Sequence, residues 1–153
     1  MSPARLLARA RTLTVPERRL LVSAWLDLAL IRALLALLPF RILRGWAERG
    51  TARPRAAGPA AARAAALVEA AGRHHVVAAT CLARALVLCR ILGRRGLPAR
   101  LVVGAARTEQ GLAAHAWVEC EGETLGAAPD GRFEPLLGHR HAARETPVVS
   151  HGA

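Results

Sequence analysis

The sequence predicts an α+β domain, with N-terminal helices and one sharply bounded later helix packed on a small antiparallel sheet. Three observations predict it. An apolar run extends from Leu20 to Leu38, a second helical pattern opens at Cys81, and three extended segments, 99–107, 113–120 and 123–128, follow between turn residues. At 153 residues and 53% hydrophobic content the chain supports one core and would be strained as two. It divides into an N-terminal helical region over 1–50, a core over 51–137 and a tail over 138–153 whose composition predicts disorder.

Thr14 followed by Glu17 is a capping box, and it starts a helix that Pro39 ends. Asp27 and Arg32 interrupt the apolar run, each costing about 2.5 to 3.5 kcal/mol at a bilayer centre, which argues against a span. A signal peptide is not expected either, because the run is too long and charged. Burial against protein is the preferred reading, and a position at a membrane surface with arginines outward is the second. Residues 47–62 turn to Gly, Pro, Arg and Ala and read as a linker; a helix over Ala61–Ala71 follows, ended by Gly72.

The helix at Cys81 has the clearest punctuation. Thr80 is its N-cap, Leu82, Leu86 and Leu92 form its apolar stripe, Arg94 and Arg95 fill its last turn, and Gly96 and Pro98 stop it. Cys81 therefore lies in the first turn, where unpaired backbone N–H groups and the helix dipole favour a thiolate. His115 lies on the second extended segment beside Trp117, and a cysteine with a distant histidine is the pattern of nucleophile and base. Because Glu121 is a poor residue for positive φ, the reading prefers a three-residue loop, Cys120 to Gly122. That register pairs Glu119 with Glu123, Trp117 with Leu125 and His115 with Ala127.

The remaining chemistry is bounded by exclusion. The formal charge of +11 is carried by arginine alone, scattered with few aromatics, so no nucleic-acid partner is expected. An acidic peptide, an acidic partner or anionic lipid suits the same field. Cys81 and Cys89 lie about 12 Å apart along one helix, too far for a disulfide, and Cys89 and Cys120 read as small buried hydrophobes. Their use fits a cytoplasmic compartment. His74, His75, Cys81 and His115 lack zinc-ligand spacing, and no phosphate-binding glycine loop appears, so no metal, cofactor or ATP site is expected.

The blocks Cys-Leu-Ala-Arg-Ala-Leu from Cys81, Gly-Leu-Pro-Ala-Arg-Leu-Val-Val-Gly from Gly96 and Ala-His-Ala-Trp-Val-Glu from Ala114 together resemble the transglutaminase-like cysteine peptidases that mature lasso peptides, the B2 proteins. Pro16 to Leu21 and Leu38 to Arg41 extend the resemblance upstream, so that it covers about Thr14 to Leu136. It implies a papain- or transglutaminase-like fold and a peptidase that removes the leader from a ribosomally made precursor. Cys81 would be the nucleophile and His115 the base, with Arg84 and Trp117 at the substrate. The implied partners are the precursor peptide, a separate leader-recognition protein and an ATP-dependent lasso cyclase.

Two departures stand out. Ala83 replaces a common proline. Ala127 stands where the family carries an acidic residue on the third strand, which leaves either a displaced triad using Asp130 or a Cys81–His115 dyad. A non-catalytic scaffold of the same fold and another transglutaminase-like amidase are the competing readings.

Overall fold

The computed structural model describes residues 13–49, 58–75, 78–126 and 133–137. Its elements run α1 (Val15–Leu37), α2 (Phe40–Ala47), α3 (Gly58–Arg73), α4 (Cys81–Arg94), β1 (Ala99–Thr108), β2 (Gly111–Cys120), β3 (Glu123–Leu125) and β4 (Glu134–Leu137). The strands form one antiparallel sheet in the order β3-β2-β1-β4. The α+β architecture is as predicted, with two additions. Pro39 ends α1 but also starts the short helix α2, since proline is favourable at a helix entrance. The fourth strand lies beside β1 with all four residues exposed and Pro135 among them, an edge strand without the alternation that betrays one.

Local chemistry sets the helix ends. The Glu17 carboxylate accepts from the Thr14 backbone N–H at 2.7 Å and from its hydroxyl at 2.8 Å, so the Glu17 half of the capping box is made. Arg63 of α3 donates to the other oxygen at 2.6 Å, which ties α1 to α3. These partners, the Thr14 N–H first and Arg63 next, hold the Glu17 carboxyl down at about 2, from an ordinary 4.5. A depressed pKa contributes stability above the unfolded value and loses it as pH falls through the folded one. Helicity is therefore expected to weaken between about pH 4.5 and 2, and Glu17→Gln is expected to flatten that part of an acid titration followed by circular dichroism.

At the C-terminus of α4, Gly96 takes φ +76°. Its N–H donates to the Gly93 carbonyl, and the Leu97 N–H donates to the Leu92 carbonyl. This is a Schellman stop, with Leu97 and Leu92 both buried in the core. Gly72 does not end α3, which runs one residue further to Arg73. The alkyl stem of Arg84 lies where a Gly72 Cβ would stand, at 2.6 Å, so that position serves close packing of α3 on α4.

One core joins the helices to one face of the sheet. Leu20, Ala24, Leu28 and Ile31 of α1 meet Ala64, Leu67 and Val68 of α3 and a nearly continuous buried run, Ala85 to Gly93, of α4. From the sheet, Leu101, Ala116, Val118, Cys120 and Leu125 face these helices. Helix α4 is thus buried along most of its length and presents only its first turn and its last basic residues outward. Alternation sends the opposite set of β1 and β2 residues, Val102, Gly104, His115 and Trp117, to the second face.

The β2–β3 hairpin corrects the predicted register. Cys120 pairs with Glu123, Glu119 with Thr124 and Val118 with Leu125, which leaves a two-residue loop of Glu121 and Gly122 at φ +52° and +87°. This is the type I′ pattern that glutamate was expected to avoid. The shift by one residue places Leu125 opposite Val118, on the helix side, where it is buried; the predicted register would have set it on the Trp117 side. Burying a leucine contributes about 1.5 to 3 kcal/mol, more than the 1–2 kcal/mol that a left-handed residue costs. Tertiary burial therefore overrides the turn preference. Ala127 and Asp130, on which the triad expectation rests, lie outside the described residues, as do the tail residues 138–153 and residues 50–57 of the predicted linker, whose last residues, from Gly58 on, already belong to α3.

Candidate active site

Cys81 is the first residue of α4. Thr80, extended at φ −67° and ψ 158°, caps the helix by accepting the Ala83 N–H on its hydroxyl at 3.2 Å, and its carbonyl accepts the Arg84 N–H at 3.1 Å. The Cys81 and Leu82 N–H groups are thereby left at the helix mouth, since no preceding turn exists to take them. Cys81 is half-buried, against the edge of the core. Cys89 and Cys120 are fully buried, and burial, the largest cause in each, pushes both thiols up. The structure thus sorts the three cysteines as the sequence suggested, with Cys89 and Cys120 as interior packing.

A narrow cleft joins this helix start to the sheet. It is lined by Cys81, Arg84 and Leu88 of α4, Glu69 of α3, Ala116 to Val118 of β2, and Leu125 with Gly126. Ala116, the strand neighbour of His115, thus lines the same cleft as Cys81. The imidazole itself, by strand alternation, shares the second face with Trp117, their ring centroids 6.2 Å apart and nearly parallel, and with Phe133, 5.4 Å away and tilted. Room for that stack comes from Gly104, which pairs with His115. A Cβ there would lie 2.7 Å from the Trp117 ring and 2.8 Å from the Glu134 carbonyl oxygen. Sequence reasoning gave Gly104 no role; its place mid-strand between apolar residues was the available signal.

The two expected substrate contacts have other partners in this structure. Arg84 lines the cleft and donates to Glu69 at 2.8 Å, an ion pair that bridges α4 and α3 beside Cys81. Trp117 is 4% exposed and supports His115. His75, from the loop before α4, packs its ring 4.8 Å from Trp25 of α1 and lies 3.2 Å from the Trp25 carbonyl oxygen. Among the described residues no three His, Cys, Asp or Glu side chains gather as a metal site.

The exposure difference gives a direct test. Near neutral pH an alkylating agent is expected to label Cys81 ahead of Cys89 and Cys120 in the folded protein, with all three labelled equally after denaturation, as read by peptide mass spectrometry. Equal labelling under mild, native conditions would overturn the assignment of Cys81 as the accessible thiol.

A half-buried cysteine at a capped helix start, set against a strand that carries histidine, is the arrangement of the papain-like and transglutaminase-like folds. The chain belongs to the transglutaminase-like superfamily, whose family model matches residues 24–138. Proteins of this family are typically cysteine peptidase-like. No curated protein and no solved structure matches the chain.

Proposed function

We propose that this protein is a cysteine peptidase that removes the leader from a lasso peptide precursor before macrocyclisation. The observation that carries the reading is Cys81 in the capped first turn of an otherwise buried helix, beside the strand of His115. In the proposed reaction the Cys81 Sγ yields its proton to His115 and attacks the scissile carbonyl carbon. The oxyanion is met by the N–H groups at the start of α4. Collapse breaks the C–N bond, the imidazolium gives its proton to the departing core amine, and a thioester to the leader remains. Water, activated by the imidazole, hydrolyses that thioester to the leader carboxylate and free thiol. A separate recognition protein presents the leader, and an ATP-dependent cyclase takes the freed core, all in the cytoplasm.

Two features favour a second reading, a scaffold of the same fold that holds precursor, recognition protein and cyclase without cleaving. The imidazole of His115 lies with Trp117 and Phe133 on the second face of the sheet, and Ala127 stands in place of the expected acid. The peptidase requires the imidazole to leave that face and reach the Cys81 thiol when substrate binds, a rearrangement the scaffold does not need. One experiment separates them: incubate the protein with precursor and recognition protein and follow the masses. A free leader and a core with a new N-terminus support the peptidase; an intact precursor retained in a complex supports the scaffold; an intact, unbound precursor overturns both.

A further inference from the structure

Helix α1 turns one face to the core and leaves the opposite face equally apolar. Val22, Leu26, Leu30 and Leu37 are 59%, 57%, 48% and 77% exposed, and their spacing, with Ala29 and Ala33 between, places them on one stripe. The helix is 23 residues, roughly 34 Å, long. A stripe of that length on a domain of this size calls for an occupant.

The charges around it are of one sign. Arg18 and Arg19 stand at one end, Arg32 on a flank and Arg41 beyond Pro39 at the other, all on exposed positions. The only acids of α1 are engaged elsewhere: Glu17 with Thr14 and Arg63, Asp27 near Arg94 on the inner side. Beside the stripe, α1 and the end of α4 enclose an open groove of about 410 Å³, lined by the apolar Val15, Leu20 and Ile91 and by the basic Arg19, Arg94 and Arg95. Among the described residues Arg94 has Asp27 at 3.7 Å, while Arg19 and Arg95 enter no ion pair. A second copy of the chain would set one group of arginines against another, which like-charge repulsion disfavours. Spanning is disfavoured as well, because the inner face of α1 is committed to the core.

We propose that this face of α1 is a docking surface for an anionic lipid bilayer, with the helix lying in the headgroup plane and the groove taking a lipid phosphate above its acyl chain. An apolar stripe with arginines at its ends and side is complementary to such a surface, since their alkyl stems lie along the hydrocarbon boundary while the guanidinium groups reach phosphate. Trp25, 36% exposed on the flank, sits at the same level as the stripe, a position that suits an indole at the headgroups. The site does not depend on the catalytic reading.

The test is flotation of the full chain with vesicles of phosphatidylglycerol or of phosphatidylcholine. Binding to the anionic vesicles is expected to exceed binding to the neutral ones at least tenfold. Arg19→Gln with Arg95→Gln should weaken it roughly thirtyfold, each surface arginine contributing about a fivefold share. Leu26→Gln with Leu30→Gln, both at exposed positions, should reduce it comparably while leaving the far-ultraviolet circular dichroism unchanged. Brominated acyl chains should quench the wild-type fluorescence, and that quenching should be absent in Trp25→Phe. Equal binding to both lipids, or anionic binding that survives both double substitutions, overturns the proposal. So does a protein that ignores vesicles and instead forms a dimer, or an adduct with an acidic peptide, that Leu26→Gln with Leu30→Gln dissolves.

Discussion

Cys81→Ala is expected to abolish leader removal, lowering turnover by roughly a thousandfold or more, while the protein remains folded. The chemical half of this expectation follows from the mechanism: without Sγ no thioester forms, and removal of a nucleophile leaves only the modest rate supplied by binding and oxyanion stabilisation. The structural half follows from placement. Cys81 is half-buried at a helix start whose cap is made by Thr80, so alanine removes one sulfur atom and leaves the Thr80–Ala83 bond intact. Alanine at Cys89 or Cys120 should behave in the opposite way. Both sites are 0% exposed and packed, so each substitution costs stability, on the order of 1 kcal/mol, with cleavage retained. Mass spectrometry of the precursor and thermal melts read the two halves separately. Cleavage by the Cys81 variant at the wild-type rate would remove the nucleophile from the mechanism.

How far the sequence could be read depends on where local and tertiary preferences agreed. The start of α1 and both ends of α4 were legible because their signals are local. Thr14 with Glu17, Thr80 before Cys81, and Gly96 with Leu97 satisfy backbone groups within a few residues of themselves. The β2–β3 hairpin was not legible, since Glu121 accepts a left-handed backbone so that Leu125 can reach the helices, a gain visible only in the assembled core. Strand β4 escaped for a related reason. Its four exposed residues bury no face, and it is held by its ladder to β1. At the site, the positions of Cys81 and His115 on a helix start and a strand were readable, but the side of the sheet taken by the imidazole was not. Alternation fixes which residues of β2 share a face; it takes the helices to decide which face is inward, and they select Ala116, Val118 and Cys120.

That choice of face makes His115 the more discriminating position. If the imidazole is the base, His115→Ala is expected to lower turnover by about 10² to 10⁴, the range for a positioned general base, with Cys81 still open to alkylation. The same change also removes a ring from the stack with Trp117 and Phe133, and aromatic pairs of this kind contribute about 0.5 to 1.5 kcal/mol. A loss of stability alone therefore says nothing about chemistry. A substitution that keeps a ring separates the two roles. With histidine as base, His115→Phe, which retains a ring for Trp117, should lose turnover as His115→Ala does. A ring that serves only as packing between Trp117 and Phe133 predicts the reverse, with His115→Phe keeping wild-type turnover. That result would take His115 out of the mechanism and, in a protein that still cleaves, require another base for the Cys81 thiol.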